Sequence, residues 1–234
     1  MKKAISVLAA GVMALSSLLV LGVSAEETYA LGDVDMDGII TGHDTAMVSR
    51  YVLDDTYTLT EEQLQLADVN GDGEVNQADA DRLYNEMQEY FLGNVSMQKT
   101  YNAYDKNTGD YIEKKRDFLS IEDGVVILTY CENQLANVED EWTQVQKHLA
   151  DVNLDGIIDL TDICGVFYLS THAAAYPTNK RNYFGNDGQY YVGTIHITPV
   201  ENPDTGFTDL MISGENEDEP VVASGNFENL INAQ

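Results

Sequence analysis

Oxygen-bearing side chains recur at fixed positions in three twelve-residue segments of this chain. A hard divalent cation takes about six to eight oxygen ligands, which a short loop supplies from alternate side chains and one backbone carbonyl. The residues at positions 1, 3, 5, 9 and 12 are Asp33, Asp35, Asp37, Thr41 and Asp44; Asp68, Asn70, Asp72, Asn76 and Asp79; and Asp151, Asn153, Asp155, Asp159 and Asp162. The residues at position 7, whose carbonyls complete the sets, are Ile39, Glu74 and Ile157. This spacing predicts three calcium sites.

The sixth position of each loop supports the same interpretation. A glycine stands there every time, at Gly38, Gly73 and Gly156, where the chain must reverse sharply. The alternative for a single Asp-rich segment is a solvated turn, but three matching copies exclude it here. Magnesium fits less well because it resists extensive coordination by protein, and transition metals would favour His or Cys ligands.

The N-terminal segment, residues 1–25, has the pattern of an export signal. Lys2 and Lys3 precede an apolar run, and small residues precede Glu26. A retained membrane anchor is the alternative, because the apolar run is almost long enough to span a bilayer. Removal of the segment would leave 10 basic and 40 acidic residues, a net charge of −30. Such a charge excludes nucleic acid as a natural partner.

Helical patterns surround the first two loops. Apolar residues four positions apart predict amphipathic helices over residues 45–53 and around Leu83 and Met87. Thr60 and Gln63 have the spacing of a capping box and predict a short helix that ends near Ala67. The apolar eighth positions of the loops, Ile40, Val75 and Ile158, can pack one loop against another.

The region between the second and third loops has a different pattern. Residues 111–118 and 125–131 are rich in β-branched and aromatic residues, and residues 122–124 suggest a turn, so we expect a β-hairpin. Residues 190–198, 208–213 and 221–227 are further predicted strands. The fold class expected is therefore α+β, with a small helical calcium-binding unit and a small β-rich module that contains the third loop.

The predicted domain boundaries follow from these patterns. We expect a signal over residues 1–25, two calcium loop–helix repeats over 30–93, a β-rich insert over 94–140, a third repeat over 141–172 and a β-rich C-terminal segment over 173–234 that packs with the insert. Leu149-Ala150-Asp151-Val152-Asn153 is identical to residues 66–70, which suggests duplication followed by insertion. Cys131 and Cys164 allow a disulfide, or two buried free thiols.

The first two repeats, from Asp33 to about Leu92, resemble a type I dockerin, the calcium-folded module by which enzymes bind to cellulosome scaffoldins. The resemblance covers about a quarter of the chain, and Asp rather than Glu at position 12 is one of its details. It implies a cohesin domain as partner, bound by loop positions 10 and 11 and the exposed face of the following helix. The residues at those positions are Gly42, His43, Ser49 and Arg50 in the first repeat and Gln77, Ala78, Tyr84 and Asn85 in the second.

Differences between the repeats refine this expectation. Gly42 and His43 stand opposite Gln77 and Ala78, so we expect one preferred docking orientation. In the third repeat, Phe167 and Tyr168 occupy the helix face that would contact a cohesin. Bulky aromatic residues there suggest burial against the β-rich module, and the third calcium would then be structural.

The function expected is that of a secreted, calcium-binding dockerin protein that docks onto a cohesin of an extracellular, cellulosome-like complex in polysaccharide degradation. The alternatives are a small glycoside hydrolase, or a sugar-binding module that uses the rings of Tyr183, Phe184, Tyr190 and Tyr191. Acidic pairs are too abundant to identify a catalytic acid and nucleophile, and the sequence contains no nucleophile elbow, zinc helix or phosphate loop. We therefore expect no catalytic residue in this chain.

Overall fold

The structure is a computed structural model that describes residues 28–115, 119–175, 196–213, 220–225 and 227–232. Its first part is helical: α1 (Gly42–Leu53), α2 (Glu61–Ala67) and α3 (Gln77–Arg82), with a π-helical turn over Leu83–Met87 directly after α3. The helices predicted after the first two loops and the capped helix at Thr60 are all present. The fold is α+β, as predicted from the sequence.

Each of the first two loops ends inside a capping box. Thr41 is the N-cap of α1 and Asp44 its third residue, and Asn76 and Asp79 have the same roles in α3. Each pair satisfies backbone N–H groups that a helix N-terminus otherwise leaves without a partner. Loop positions 9 and 12 therefore belong to the loop and to the helix at once, and the cap fixes the direction of one relative to the other.

Of the β-hairpin expected over residues 111–118 and 125–131, the first strand is confirmed over residues 111–115 and the second is wrong. Strand β1 (Thr100–Tyr104) pairs with β2 (Tyr111–Lys115), and residues 121–135 form helix α4 (Ile121–Leu135). Ser120 and Asp123 form a capping box at its start, so the predicted turn is the first turn of this helix. Gly124, Ile127 and Cys131 are buried at intervals of three and four, the spacing of one helical face.

The described residues after α4 contain three more helices and a separate sheet. Helix α5 (Gln144–Ala150) leads into the third loop, and α6 (Leu160–Ala175) follows it. Strands β3 (His196–Glu201), β4 (Thr208–Ser213) and β5 (Val221–Ala223) form an antiparallel sheet in chain order, followed by α7 (Glu228–Ile231). The strand predicted over residues 208–213 is confirmed. The strand predicted over 221–227 is shorter, and residues 190–195 of the other lie outside the described part.

The larger core lies between α4, α5, α6 and β4. It includes Ile127, Leu149, Ile163, Leu210 and Ile212, all inaccessible to solvent. The smaller core, around Val34, Val48 and Leu83, lies within the first two repeats. In the described residues, the two small sheets do not join into one β module. The insert packs on the larger core through α4, and its strands β1 and β2 form a sheet of their own.

Helix α6 packs closely on α4 through Phe167. A Cβ on Gly124 would lie 2.4 Å from the Phe167 ring, so only glycine permits this approach. Phe167 is 7% exposed and Tyr168 4%, which confirms the burial expected of these side chains, although the main neighbour is a helix. Cys131 and Cys164 are buried and free, and burial raises the pKa of each thiol to about 12.

Within the described residues, no helix is both long and apolar enough to cross a bilayer.

Candidate calcium sites and docking surface

The first loop is folded around its own carboxylates. The backbone N–H of Gly38 donates to Asp33 Oδ2 over 3.1 Å, that of Asp37 to Asp35 Oδ1 over 3.1 Å, and that of Ile39 to Asp37 Oδ1 over 3.0 Å. Gly38 has φ of 95°, in the left-handed region that glycine tolerates. Oxygens of Asp33, Asp35 and Asp37 lie within 4.8 Å of one another, so these three side chains converge on one small volume.

Asp44 closes the first loop from the helix side. Its carboxylate is fully buried and accepts from the backbone N–H groups of Val34 and Thr41, each over 2.7 Å. Burial raises the pKa of Asp44 to about 8, and the charge of nearby Asp35 adds to this effect. A buried carboxylate beside further carboxylates is costly unless a cation compensates it, so the donor set fits a hard cation.

The second and third loops repeat this hydrogen-bond pattern. The glycine N–H donates to the first aspartate over 2.9 Å in both, Gly73 to Asp68 and Gly156 to Asp151. Asn76 and Asp159 donate their N–H groups to the last aspartates, Asp79 and Asp162, also over 2.9 Å. Burial raises the pKa of Asp162 to about 8, as for Asp44. The third loop thus has the same backbone geometry as the first two.

The third repeat lies against the first loop, an arrangement that sequence reasoning missed. His148, in α5, places Nδ1 2.9 Å from Asp35 Oδ2 and 3.0 Å from Asp37 Oδ2. Its ring stacks on His43, with ring centroids 4.8 Å apart. Burial opposes the charged form, but hydrogen bonds to Asp35 and Asp37 outweigh it and raise the pKa of His148 to about 10. Without a bound cation, the carboxylates of the first loop therefore favour the protonated form of this imidazole.

Arg50 makes the second contact between these units. Its Nη1 donates to the carbonyls of Asn153 and Leu154, over 3.0 and 2.9 Å, and its guanidinium lies 4.8 Å above the ring centroid of Tyr57. Arg50 and the third loop are more than 100 residues apart in the chain, and no local pattern predicts their contact. The pairing partner of the third loop, which the sequence left open, is the first repeat.

The predicted partner contacts fall into two groups. Gly42, His43 and Ser49 of the first repeat are buried, so the exposure on which their prediction depended is contradicted. In the second repeat, Ala78 and Asn85 are exposed, and Gln77 and Tyr84 are half-buried. The two repeats therefore differ in access although their loops share one geometry. Tyr183, Phe184, Tyr190 and Tyr191, the rings of the sugar-binding alternative, lie outside the described residues, as does the predicted signal.

Two adjacent loop–helix units with capped, carboxylate-lined loops define a paired calcium-loop module. Residues 31–88 match the family model described as the dockerin type I domain, and this part of the chain is a type I dockerin domain. The third repeat lies beyond the matched residues. No curated protein and no solved structure matches the chain. Dockerin domains bind calcium and cohesins, and they are typically extracellular components of cellulosome-type complexes.

Proposed function

We propose that this protein is a secreted anchor that docks through residues 31–88 onto a cohesin of a cellulosome-like complex, in a calcium-dependent manner. One observation carries the proposal: the match to the dockerin type I domain spans the two loop–helix units whose backbone N–H groups are arranged around paired carboxylates. Cohesin binding is the general property of this domain.

Calcium is the proposed ligand of all three loops. In each loop, the side chains at positions 1, 3, 5, 9 and 12 and the carbonyl at position 7 would hold one ion, as the sequence predicts. Two ions would order the docking module, and the third, at residues 151–162, would be structural. Support comes from the buried Asp44 and Asp162, which without a cation retain protons well above the ordinary pKa of Asp.

Outside the dockerin domain, the chain is the proposed cargo of the anchor. It contributes most of the larger core and both sheets. Its proposed role in polysaccharide degradation follows from the type of complex that dockerins join. Secretion is proposed from the signal pattern of residues 1–25. N-terminal sequencing of the protein exported by an expressing cell tests this part, with a start near Glu26 expected and an intact residue 1 on exported protein contradicting it.

A binding assay against recombinant type I cohesins tests the anchor. The full chain after residue 25 is immobilised, and each cohesin is applied in millimolar calcium and again in excess chelator. At least one cohesin should bind in calcium, with binding reduced about a hundredfold or more by chelator, since loop folding depends on the metal. If no cohesin binds in calcium, or if chelator has no effect, the proposal is wrong.

A further inference from the structure

Other parts of the chain cover the predicted docking face of the first repeat, which consists of Gly42, His43, Ser49 and Arg50. The backbone N–H of Gly42 donates to the carbonyl of Tyr90 over 2.8 Å, and a Cβ on Gly42 would lie 2.2 Å from the backbone nitrogen of Leu92. His43, 7% exposed, is stacked on His148, and Arg50 donates to the third loop. Position 10 of the first loop is thus covered by the segment after the π-helical turn, and position 11 and the helix face by the third repeat.

Apolar contacts also hold the third repeat against the docking face of the first repeat. Ala46, inaccessible to solvent on α1, belongs to the same buried cluster as Leu149, just before the third loop, and Val152, the second residue of that loop. Ser49, one helical turn from Ala46, is only 3% exposed. An open cleft beside this contact is lined by residues of both units, including His43 and Asp151. A protein that approached the first repeat through this cleft would therefore meet the third loop. The third repeat is therefore packed into the core that holds α1.

The equivalent face of the second repeat has the opposite character. Ala78 and Asn85 are exposed, and so are Asp81 and Arg82 between them on the same helical segment. Arg82 pairs with Glu86 over 3.4 Å within this segment, and its Nη1 donates to the carbonyl of Val69 in its own loop. On the same segment Gln77 and Tyr84 are half-buried, and Tyr84 packs against the larger core. The exposed residues Ala78, Asp81, Arg82 and Asn85 form a polar helical surface that a second protein can approach.

We infer that the third loop–helix unit occupies the docking face of the first repeat, so that a cohesin binds through the second repeat alone and in one orientation. This inference rests on the proposed function for the identity of the partner. A dockerin with two equivalent faces can bind in two orientations, whereas a chain that covers one face with its own residues retains a single one. The cohesin must then contact Ala78 and Asn85, and it cannot contact Ser49.

Thiol labelling tests the cover without any cohesin. Ser49→Cys and Ala78→Cys introduce small side chains, and the native Cys131 and Cys164 are buried with raised pKa values. With a maleimide reagent in calcium, the Cys at position 78 should react about a hundredfold faster or more than the Cys at position 49, because buried thiols react only on opening. Equal rates in folded protein, judged by circular dichroism, would overturn the cover.

Affinity measurements test the docking half with a cohesin that binds the unmodified chain in calcium. Ala78→Arg and Ala78→Glu should each weaken binding about tenfold or more, because bulk of either charge is placed in the interface. Gln65→Arg and Gln65→Glu, on exposed positions of α2, are matched controls, and Ser49→Ala probes the covered face. Each of these three variants should bind the cohesin with a Kd within about threefold of that of the unmodified chain.

Full binding by both Ala78 variants would overturn the inference, whatever the effect of Ser49→Ala. A loss from Ser49→Ala would also overturn it, and so would a loss from only one charge at position 78 that the matching Gln65 control reproduces. A chain that binds no cohesin would overturn the proposed function and the docking half together. The labelling contrast then still decides whether the third repeat covers the first.

Discussion

The last aspartates of the first and third loops hold the loop backbone by hydrogen bonds and are also proposed calcium ligands. Asp44 and Asp162 accept hydrogen bonds from backbone N–H groups at both ends of their loops, and burial raises the pKa of each to about 8. Such a carboxylate fixes the loop through its hydrogen bonds. Burial makes its ionised form unfavourable unless a cation lies beside it. Loop shape and metal affinity should therefore both depend on this residue.

Asp44→Asn should remove calcium from the first loop. The amide has nearly the same shape, but it offers one oxygen instead of two and no charge to the cation. We expect calorimetry to show one bound ion fewer than in the unmodified chain, or one site weakened about a hundredfold. Asp55→Asn, at an exposed position outside the loops, is the control. An unchanged number and affinity of sites would exclude Asp44 as a ligand.

Calcium binding and stability should respond to pH in opposite directions. Because the pKa of Asp44 and of Asp162 is raised from 3.8 to about 8, the folded metal-free protein retains protons that the unfolded chain has released. Its stability therefore falls as pH rises from about 4 to 8, by at most about 1.4 kcal/mol per pH unit for each group. Calcium must displace these protons, so its apparent affinity rises over the same range.

Urea unfolding in chelator at pH 5 and pH 7.5 measures the first effect, and calcium titration at both values measures the second. The stability of the metal-free protein should be lower at pH 7.5, and calcium should raise it more there than at pH 5. A metal-free protein that becomes more stable between pH 5 and 7.5 would contradict the assignment of raised pKa values to these two buried groups.

At the scale of elements, helix α4 shows how packing decides between helix and strand. Val125, Val126, Ile127 and Leu128 form a short apolar run that suits either structure. The Ser120 and Asp123 cap and the buried positions 124, 127 and 131 favour the helix, and Gly124 permits the Phe167 ring to lie against the backbone. A glycine that lowers helix propensity is thus required by the contact between α4 and α6.

Gly124→Ala should lower stability although alanine favours a helix. The added Cβ would meet the Phe167 ring at 2.4 Å, and such overpacking costs roughly 1–3 kcal/mol. Over most of this range the cost exceeds the roughly 1 kcal/mol that alanine returns in helix propensity. Chemical denaturation of the single variant and of Gly124→Ala with Phe167→Leu measures the effect. The second variant should recover part of the loss, because leucine vacates ring volume. A stabilised single variant would show that α4 and α6 are not packed in this way.

At the scale of the whole molecule, the contact between the dockerin domain and the third repeat gives the chain its arrangement. The Asp35–His148 and Arg50–Asn153 contacts connect segments more than 100 residues apart. The predicted domain boundary near residue 93 falls among Leu92, Gly93 and Val95, which are buried, with both apolar side chains in the larger core. The dockerin domain is therefore continuous with the packing of its proposed cargo, which restrains the two against independent motion.

Arg50→Ala should loosen the third loop from a distance. It removes two hydrogen bonds from a charged donor to the carbonyls of Asn153 and Leu154, so we expect a loss of about 1–3 kcal/mol in unfolding free energy. Hydrogen exchange should rise in residues 151–158. Arg82→Ala is the matched control, since Arg82 donates to Val69 O within its own repeat and should affect residues 68–76 instead. Unchanged exchange in the third loop would contradict the contact.

Local chemistry made a large part of this molecule predictable from sequence. Ligand spacing, the glycine at position 6 and the capping pair at positions 9 and 12 all lie within twelve residues, so the three loops, their following helices and the dockerin domain could be predicted. The capped helix at Thr60 and the strand over residues 208–213 rest on equally local patterns.

Only the tertiary structure decided which loop meets which. The ligand spacing within the first and third loops gives no information about the distance between Asp35 and Asp151. Each loop satisfies its backbone N–H groups with its own side chains, so its sequence pattern does not depend on its neighbour. The same applies to Val125–Leu128, whose apolar side chains fit a sheet or a helix until α6 supplies a surface to pack on. The sequence by itself determined three loops of one kind; long-range packing made one of them the cover of another.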